Sequence, residues 1–176
     1  MTAEYSIWLM PCAADLAVFQ AVVDELAPQF GQPAFLPHVT VQGDLALPLD
    51  AVAAQVRSLA AAWPAQHWPV VDVERSDFFF RCLYLRFERT PAFDGLQGGA
   101  QLFSGTAQGL SPYPHLSLAY GQVQPYQAAL VEALRARFKG RTVVFDRLAV
   151  CLSSKDIPIA QWRCVVEAPL ATSAPG

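Results

Sequence analysis

Pro37-His38-Val39-Thr40-Val41-Gln42-Gly43 and Pro114-His115-Leu116-Ser117-Leu118-Ala119-Tyr120-Gly121 are two versions of one phrase. Each reads Pro-His-apolar-hydroxyl-apolar, each follows a loop, and each precedes a helical pattern. They hold two of the chain's three histidines. In a strand, residues i and i+2 project from one face and i+1 from the other. His38 and Thr40 therefore share a face, while Val39 and Val41 face a core. His115 and Ser117 do the same against Leu116 and Leu118. Each strand presents an imidazole with a hydroxyl about 7 Å further along. The motifs occupy similar places in the two halves of the chain, which points to an internal duplication. If the halves are related by a pseudo-twofold axis, the two polar faces meet across one cleft.

Working outward from the motifs, Tyr5 to Met10 reads as a short strand stopped by Pro11. Leu16, Phe19, Val23, Leu26 and Phe30 form a helical stripe ended by Gly31 and Pro33. Phe35 to Gly43 alternates like a strand. Val52, Val56, Leu59 and Trp63 mark a second helix, closed by Pro64. Trp68 to Glu88 reads as a two-stranded hairpin, and Phe93 to Phe103 as a weaker helix. The segment SGTAQGLSPYP has the composition of a flexible or ligand-adjacent loop. After the strand His115 to Tyr120, Pro125 opens a helix through Leu130, Leu134 and Phe138, with Gly140 at its end. Val143 to Leu152 and Trp162 to Ala168 finish as strands, and the tail PLATSAPG is expected to fray. The hairpin breaks a regular β-α-β rhythm, so the fold class is α+β with antiparallel or mixed sheets. No linker divides residues 1–176, which predicts one domain, with room for two lobes.

Composition narrows the function. The chain has 176 residues, 53% of them hydrophobic and 15% charged, enough for a buried core. No apolar run exceeds five residues, far short of the roughly 20 a membrane helix needs. The start, MTAEYSIWLMP, lacks the basic and long apolar regions of a secretory signal, so a cytoplasmic chain is expected. Twelve basic residues against fifteen acidic ones give a net charge of −3, too little positive field for long nucleic acid. The phosphate partner, if any, is small or is the end of a strand. Cys12, Cys82, Cys151 and Cys164 contain no C-x-x-C pair, and are expected to be four reduced, largely buried thiols.

Two imidazoles flanking two hydroxyls suit in-line opening of a cyclic phosphodiester without a metal. A neutral imidazole can take a proton from water and a protonated one can give a proton to the leaving oxygen. Thr and Ser hydroxyls can donate to the phosphoryl oxygens as charge builds. A metal centre is the competing reading, but Thr and Ser are poor zinc ligands and no acidic residue sits at a helical ligand spacing. Ser117 as a nucleophile lacks a G-x-S-x-G elbow and a sequence-adjacent Asp. His67 has no hydroxyl at its +2 position and reads as a surface residue.

The paired H-x-(T/S) motifs resemble those of the 2H phosphoesterase superfamily. YSIWLMP, PAFLPHVTV, FFFRCLYL, PYPHLSLAYG and RLAVCLSSKD with Trp162 resemble its cyclic phosphodiesterase branch, over about Tyr5 to Val166. The resemblance implies a bilobal α+β fold in which two pseudo-symmetric antiparallel sheets line a central cleft, with helices outside. It implies hydrolysis of ADP-ribose 1″,2″-cyclic phosphate and of nucleoside 2′,3′-cyclic phosphates, the latter to 2′-phosphates, with no cofactor. His38 and His115 match the catalytic pair, Thr40 and Ser117 the phosphate-binding hydroxyls, and Tyr120 an aromatic phosphate or substrate contact. Trp8 and Phe80 match aromatics that flank the cleft. Arg81 could meet a distal phosphate such as that of ADP-ribose, but its place beside Phe80 reads first as a solvated hairpin arginine. A monomer is expected. The alternatives are a 2′-5′ RNA ligase-like enzyme acting on RNA ends, and a non-catalytic nucleotide-binding module on the same fold.

Overall fold

A computed structural model describes residues 3–172 of the chain. Its elements run β1 (Tyr5–Pro11), α1 (Ala13–Gln29), β2 (Val39–Leu45), α2 (Leu49–Ala62), β3 (Gln66–Arg75), β4 (Leu83–Phe87), α3 (Pro91–Ser104), β5 (His115–Ala119), α4 (Ala128–Phe138), β6 (Thr142–Leu152) and β7 (Arg163–Pro169). Short 3-10 turns precede β4, α4 and β7. Every strand pairing is antiparallel. The α+β class is therefore borne out.

The duplication is visible in the pairing. β1-α1-β2-α2-β3 and β4-α3-β5-α4-β6 are parallel series, and β7 is an extra strand on β6. β1 pairs with β2 and β6, and β4 pairs correspondingly with β5 and β3. The two half-sheets are sewn into one ring at two seams. Val39 sits opposite Leu116 between β2 and β5, and Gln66–Pro69 run opposite Thr142–Phe145 between β3 and β6. Closing a sheet on itself leaves few bare edges. The helices cross over as well: α1 packs on β5 and α3 on β2, while α2 packs on β6 and α4 on β3.

The period-2 pattern sets which face is which. Val39, Val41, Leu116 and Leu118 are fully buried and join Phe19, Leu96, Phe93 and Phe138 in the main core. Fully burying each such side chain is worth about 1.5–3 kcal/mol, so a one-residue slip in β2 or β5 would cost several of these at once. Asp15, almost buried at the start of α1, accepts from the backbone N–H of Val144 at 2.8 Å and from Arg141 at 2.8 Å. That ties the helix start to β6.

Three expectations need correcting. β2 begins at Val39 rather than near Phe35, because His38 still lies in the approach loop. The tail is anchored in part: Leu170 is buried, and the Ala171 N–H donates to the carbonyls of Ala60 and Trp63; residues 173–176 lie outside the described part. The thiols are not all free, because Cys151 and Cys164 are bonded as a disulfide while Cys12 and Cys82 are free. The antiparallel β6–β7 pairing puts Cys151 directly opposite Cys164, a register that their spacing in sequence does not reveal. His67 is exposed on β3. Among the described residues no helix is long and apolar enough to cross a membrane.

Candidate active site

Turning the apolar residues of β2 and β5 into the core turns His38, Thr40, His115 and Ser117 to the opposite face. There they line one cleft of about 530 Å³. Trp8, Phe80 and Tyr120 line it too, so all seven residues singled out from the sequence share one cavity.

Each imidazole is held by a backbone carbonyl two residues upstream. His38 Nδ1 is 2.6 Å from Leu36 O, and His115 Nδ1 is 3.0 Å from Tyr113 O. A carbonyl can only accept, so the proton of each neutral ring sits on Nδ1 and the lone pair on Nε2. Both rings are kept neutral. Burial pushes His38 down to about 3, opposed by its bond to Leu36 and reinforced by the charge of His115. Burial likewise pushes His115 down to about 4, opposed by the Tyr113 carbonyl and reinforced by the Arg81 charge.

The surroundings of the two rings differ. His38 lies flat on Trp8, with ring centroids 3.5 Å apart and an interplanar angle of 6°. An aromatic face stabilises a cation above it, so this stack favours the protonated form once an anion offsets the cost of burial. β1 delivers Trp8 because it sits opposite Thr40 in the β1–β2 ladder. At the matching place in the other half, Tyr84 of β4 sits opposite Ser117. Tyr84 meets His115 edge to face at 5.4 Å and donates to Glu74 Oε2 at 2.9 Å. Its hydroxyl also bonds the Tyr113 hydroxyl at 2.8 Å. Reading the sequence missed Tyr84, Glu74 and Tyr113. Aligning the two halves about the His motifs carries Trp8 to Leu85, one residue out of step, so the match of Tyr84 to Trp8 appears only in the strand register.

The hydroxyls differ as well. Ser117 Oγ donates to the carbonyl of Phe80 at 3.0 Å, whereas the Thr40 hydroxyl has no partner within the described residues. Tyr120 is buried, stacks on Phe35 at 3.8 Å and meets Phe80 and Trp162 edge-on. Burial raises its hydroxyl pKa, so it reaches the cleft as a neutral phenol. Arg81 is not a solvated hairpin arginine: it lines the cleft, and its Nε is buried without a partner. The loop before β5 lines the cleft through Gly109 to Pro112, and it is tied down. The buried Gln42 side chain donates to the carbonyls of Thr106 and Gln108, and Gly43 N donates to Gly109 O at 2.8 Å. A Cβ on Gly109 would lie 2.0 Å from Gly43 O, so only glycine allows this approach. No three His, Cys, Asp or Glu side chains gather as a metal-ligand set among the described residues.

No family model matches the chain. It is 27% identical over 168 residues to the cyclic phosphodiesterase of Arabidopsis thaliana, covering 92% of each chain. Among solved structures it resembles TT0787 of Thermus thermophilus, with a TM-score of 0.64, 13% identity, and coverage of 97% of this chain and 100% of that one. E. coli LigT without ligand matches with a TM-score of 0.59 and 14% identity over 97% and 98% of the two chains. LigT complexed with 3′-AMP matches at 0.57, with 13% identity over 97% and 99%. These likenesses bear out the resemblance to 2H phosphoesterases, and within them to the cyclic phosphodiesterase branch.

Proposed function

We propose that this chain, sharing the fold of LigT and similar along its length to a cyclic phosphodiesterase, hydrolyses cyclic phosphodiesters with His38 and His115 as its acid–base pair. One observation carries the reading: two imidazoles, each locked by a carbonyl on Nδ1, open onto the same cleft beside an unpartnered threonine hydroxyl. The substrates are small cyclic phosphates, among them nucleoside 2′,3′-cyclic phosphates and ADP-ribose 1″,2″-cyclic phosphate. A cyclic phosphate brings negative charge directly beside the two rings. That charge offsets the penalty of burial and lets one ring take up a proton.

His115 is the base and His38 the acid. Burial alone leaves His115 the easier ring to protonate, at about 4 against about 3 for His38; the roles depend on the bound anion offsetting the burial of His38, whose cation the Trp8 face then steadies. His115 Nε2 takes a proton from a water whose oxygen attacks phosphorus. The bond from phosphorus to the ribose 3′ oxygen breaks, and that oxygen leaves with the proton from His38 Nε2. The product is a 2′-phosphate with a free 3′-hydroxyl, and solvent exchange resets both rings. No step calls for a metal. Thr40, and Ser117 after it releases Phe80, donate to the phosphoryl oxygens as charge accumulates. Trp8, Phe80 and Tyr120 wall the sugar and base. The site works within one chain, as a monomer would require.

The test is turnover of adenosine 2′,3′-cyclic phosphate by His38→Ala and His115→Ala. Each is expected to lower kcat by three or more orders of magnitude while leaving the circular dichroism spectrum intact. Near wild-type turnover by either variant overturns the reading, as does loss of activity in EDTA that zinc restores.

A further inference from the structure

We propose that Arg81 is the phosphate-binding arm of the His115 half-site and contacts the phosphoryl oxygens of the bond being broken. This rests on the acid–base reading above. The duplication supplies two half-sites, but they are not equally equipped with donors. On the His38 side the Thr40 hydroxyl is uncommitted among the described residues. On the His115 side the single proton of Ser117 is spent on the Phe80 carbonyl. A phosphoryl group passing through its transition state spreads charge over its non-bridging oxygens, and a Ser117 that must first give up the Phe80 carbonyl leaves the His115 side the weaker in donors.

The residue after Phe80 can meet it. Arg81 lines the cleft, and no carboxylate of the described residues lies within ion-pair distance of it, although Asp44 and Asp77 line the same cleft. Its Nε is buried without a partner. A buried orphan donor is costly, and such a group is tolerated where a ligand completes it. The guanidinium is steadied 4.9 Å from the Tyr113 ring centroid and 5.3 Å from that of Phe78. Arg86 is the instructive contrast. It sits 4.8 Å from the same Tyr113 ring, but Glu74 neutralises it at 3.3 Å. Of two arginines on one tyrosine, the one facing the cleft is left with its charge unspent.

A planar guanidinium held between rings loses little freedom when an anion arrives, and its fork matches two phosphoryl oxygens. Arg81 lies on the Tyr113 ring, whose centroid is 5.6 Å from that of His115, which places it beside the reacting phosphorus rather than at a remote group. Lys155, on the rim, is exposed and unsteadied.

The experiment measures Arg81→Gln and Arg81→Lys on adenosine 2′,3′-cyclic phosphate and on the same nucleoside carrying an added 5′-phosphate. Arg81→Gln is expected to lower kcat/KM about 100- to 1000-fold on both, the usual loss for one transition-state donor. Arg81→Lys should recover about tenfold, and added guanidinium ion should restore part of the activity of Arg81→Ala. Activity of Arg81→Gln within threefold of wild type overturns the proposal. So does a loss confined to the 5′-phosphorylated substrate, which would make Arg81 a remote-phosphate contact. Calorimetric binding of inorganic phosphate, which needs no turnover, is expected to weaken at least tenfold in Arg81→Gln; unchanged binding counts against Arg81. If wild type binds phosphate through Arg81 yet opens neither substrate, the acid–base reading fails and the phosphate arm stands.

Discussion

The two motif hydroxyls occupy matching places, yet removing them should not cost the same. Thr40→Val keeps shape and removes a donor that has no other partner. Losing one preorganised transition-state donor costs about 2.7–4 kcal/mol, or 100- to 1000-fold in rate. Ser117 must first give up its hydrogen bond to the Phe80 carbonyl, donated at 3.0 Å. A hydrogen bond of this kind is worth about 0.5–1.5 kcal/mol net, and its loss is subtracted from whatever Ser117 gives the transition state. Ser117→Ala should therefore cost about 10- to 100-fold, several times less than Thr40→Val. The assay is kcat/KM on adenosine 2′,3′-cyclic phosphate, with the 2′-phosphate product separated by chromatography and folding checked by thermal melting. Ser117→Ala hurting as much as Thr40→Val, or more, would refute the reasoning. So would two near-neutral variants.

Other consequences follow from the buried rings and the strand register. Both histidines titrate below their ordinary 6.5 in the folded chain, to about 3 and about 4. The unfolded chain binds the extra protons, so stability is full above pH 6.5 and is lost as pH falls from there toward 3. Urea titrations at pH 7 and pH 4.5 should show this drop, and His38→Gln should make it shallower. In kinetics, the optimum of kcat/KM should lie at lower pH than that of kcat, because the bound anion raises the ring pKa values; coincident optima would contradict this. Trp8→Leu should lower kcat about 3- to 30-fold, the worth of a cation over an indole, and move the basic limb of the kcat profile to lower pH. Thiol titration in denaturant without reductant should find two reactive cysteines, Cys12 and Cys82, with four appearing only after reduction.

Much of the site was legible because alternation in β2 and β5 is a local property. Once Val39, Val41, Leu116 and Leu118 are assigned to the core, the facing of His38, Thr40, His115 and Ser117 follows. Repetition of the phrase then announces the partner strand. What stayed hidden depends on register between strands. The opposition of Cys151 and Cys164 is set by the β6–β7 ladder, and that of Tyr84 and Ser117 by the β4–β5 ladder. The commitment of Ser117 to Phe80, and of Arg81 to the cleft, comes from the 3-10 turn Phe79–Arg81 that tucks the hairpin end against β5. Its place on the hairpin made that arginine read as solvated. The anchored tail is a similar case, since Ala171 bonds the end of α2 and Leu170 bonds Asp146 of β6, both distant in sequence.

The account turns on two rings acting upon one phosphorus. Its most direct measurement is a crystal structure with a nucleoside 2′,3′-cyclic vanadate, which copies the five-coordinate phosphoryl group. The expected result is Nε2 of His38 and Nε2 of His115 on opposite sides of the vanadium, each about 3 Å from one of its oxygens. A vanadate held by one histidine while the other ring stays beyond hydrogen-bond reach would contradict it.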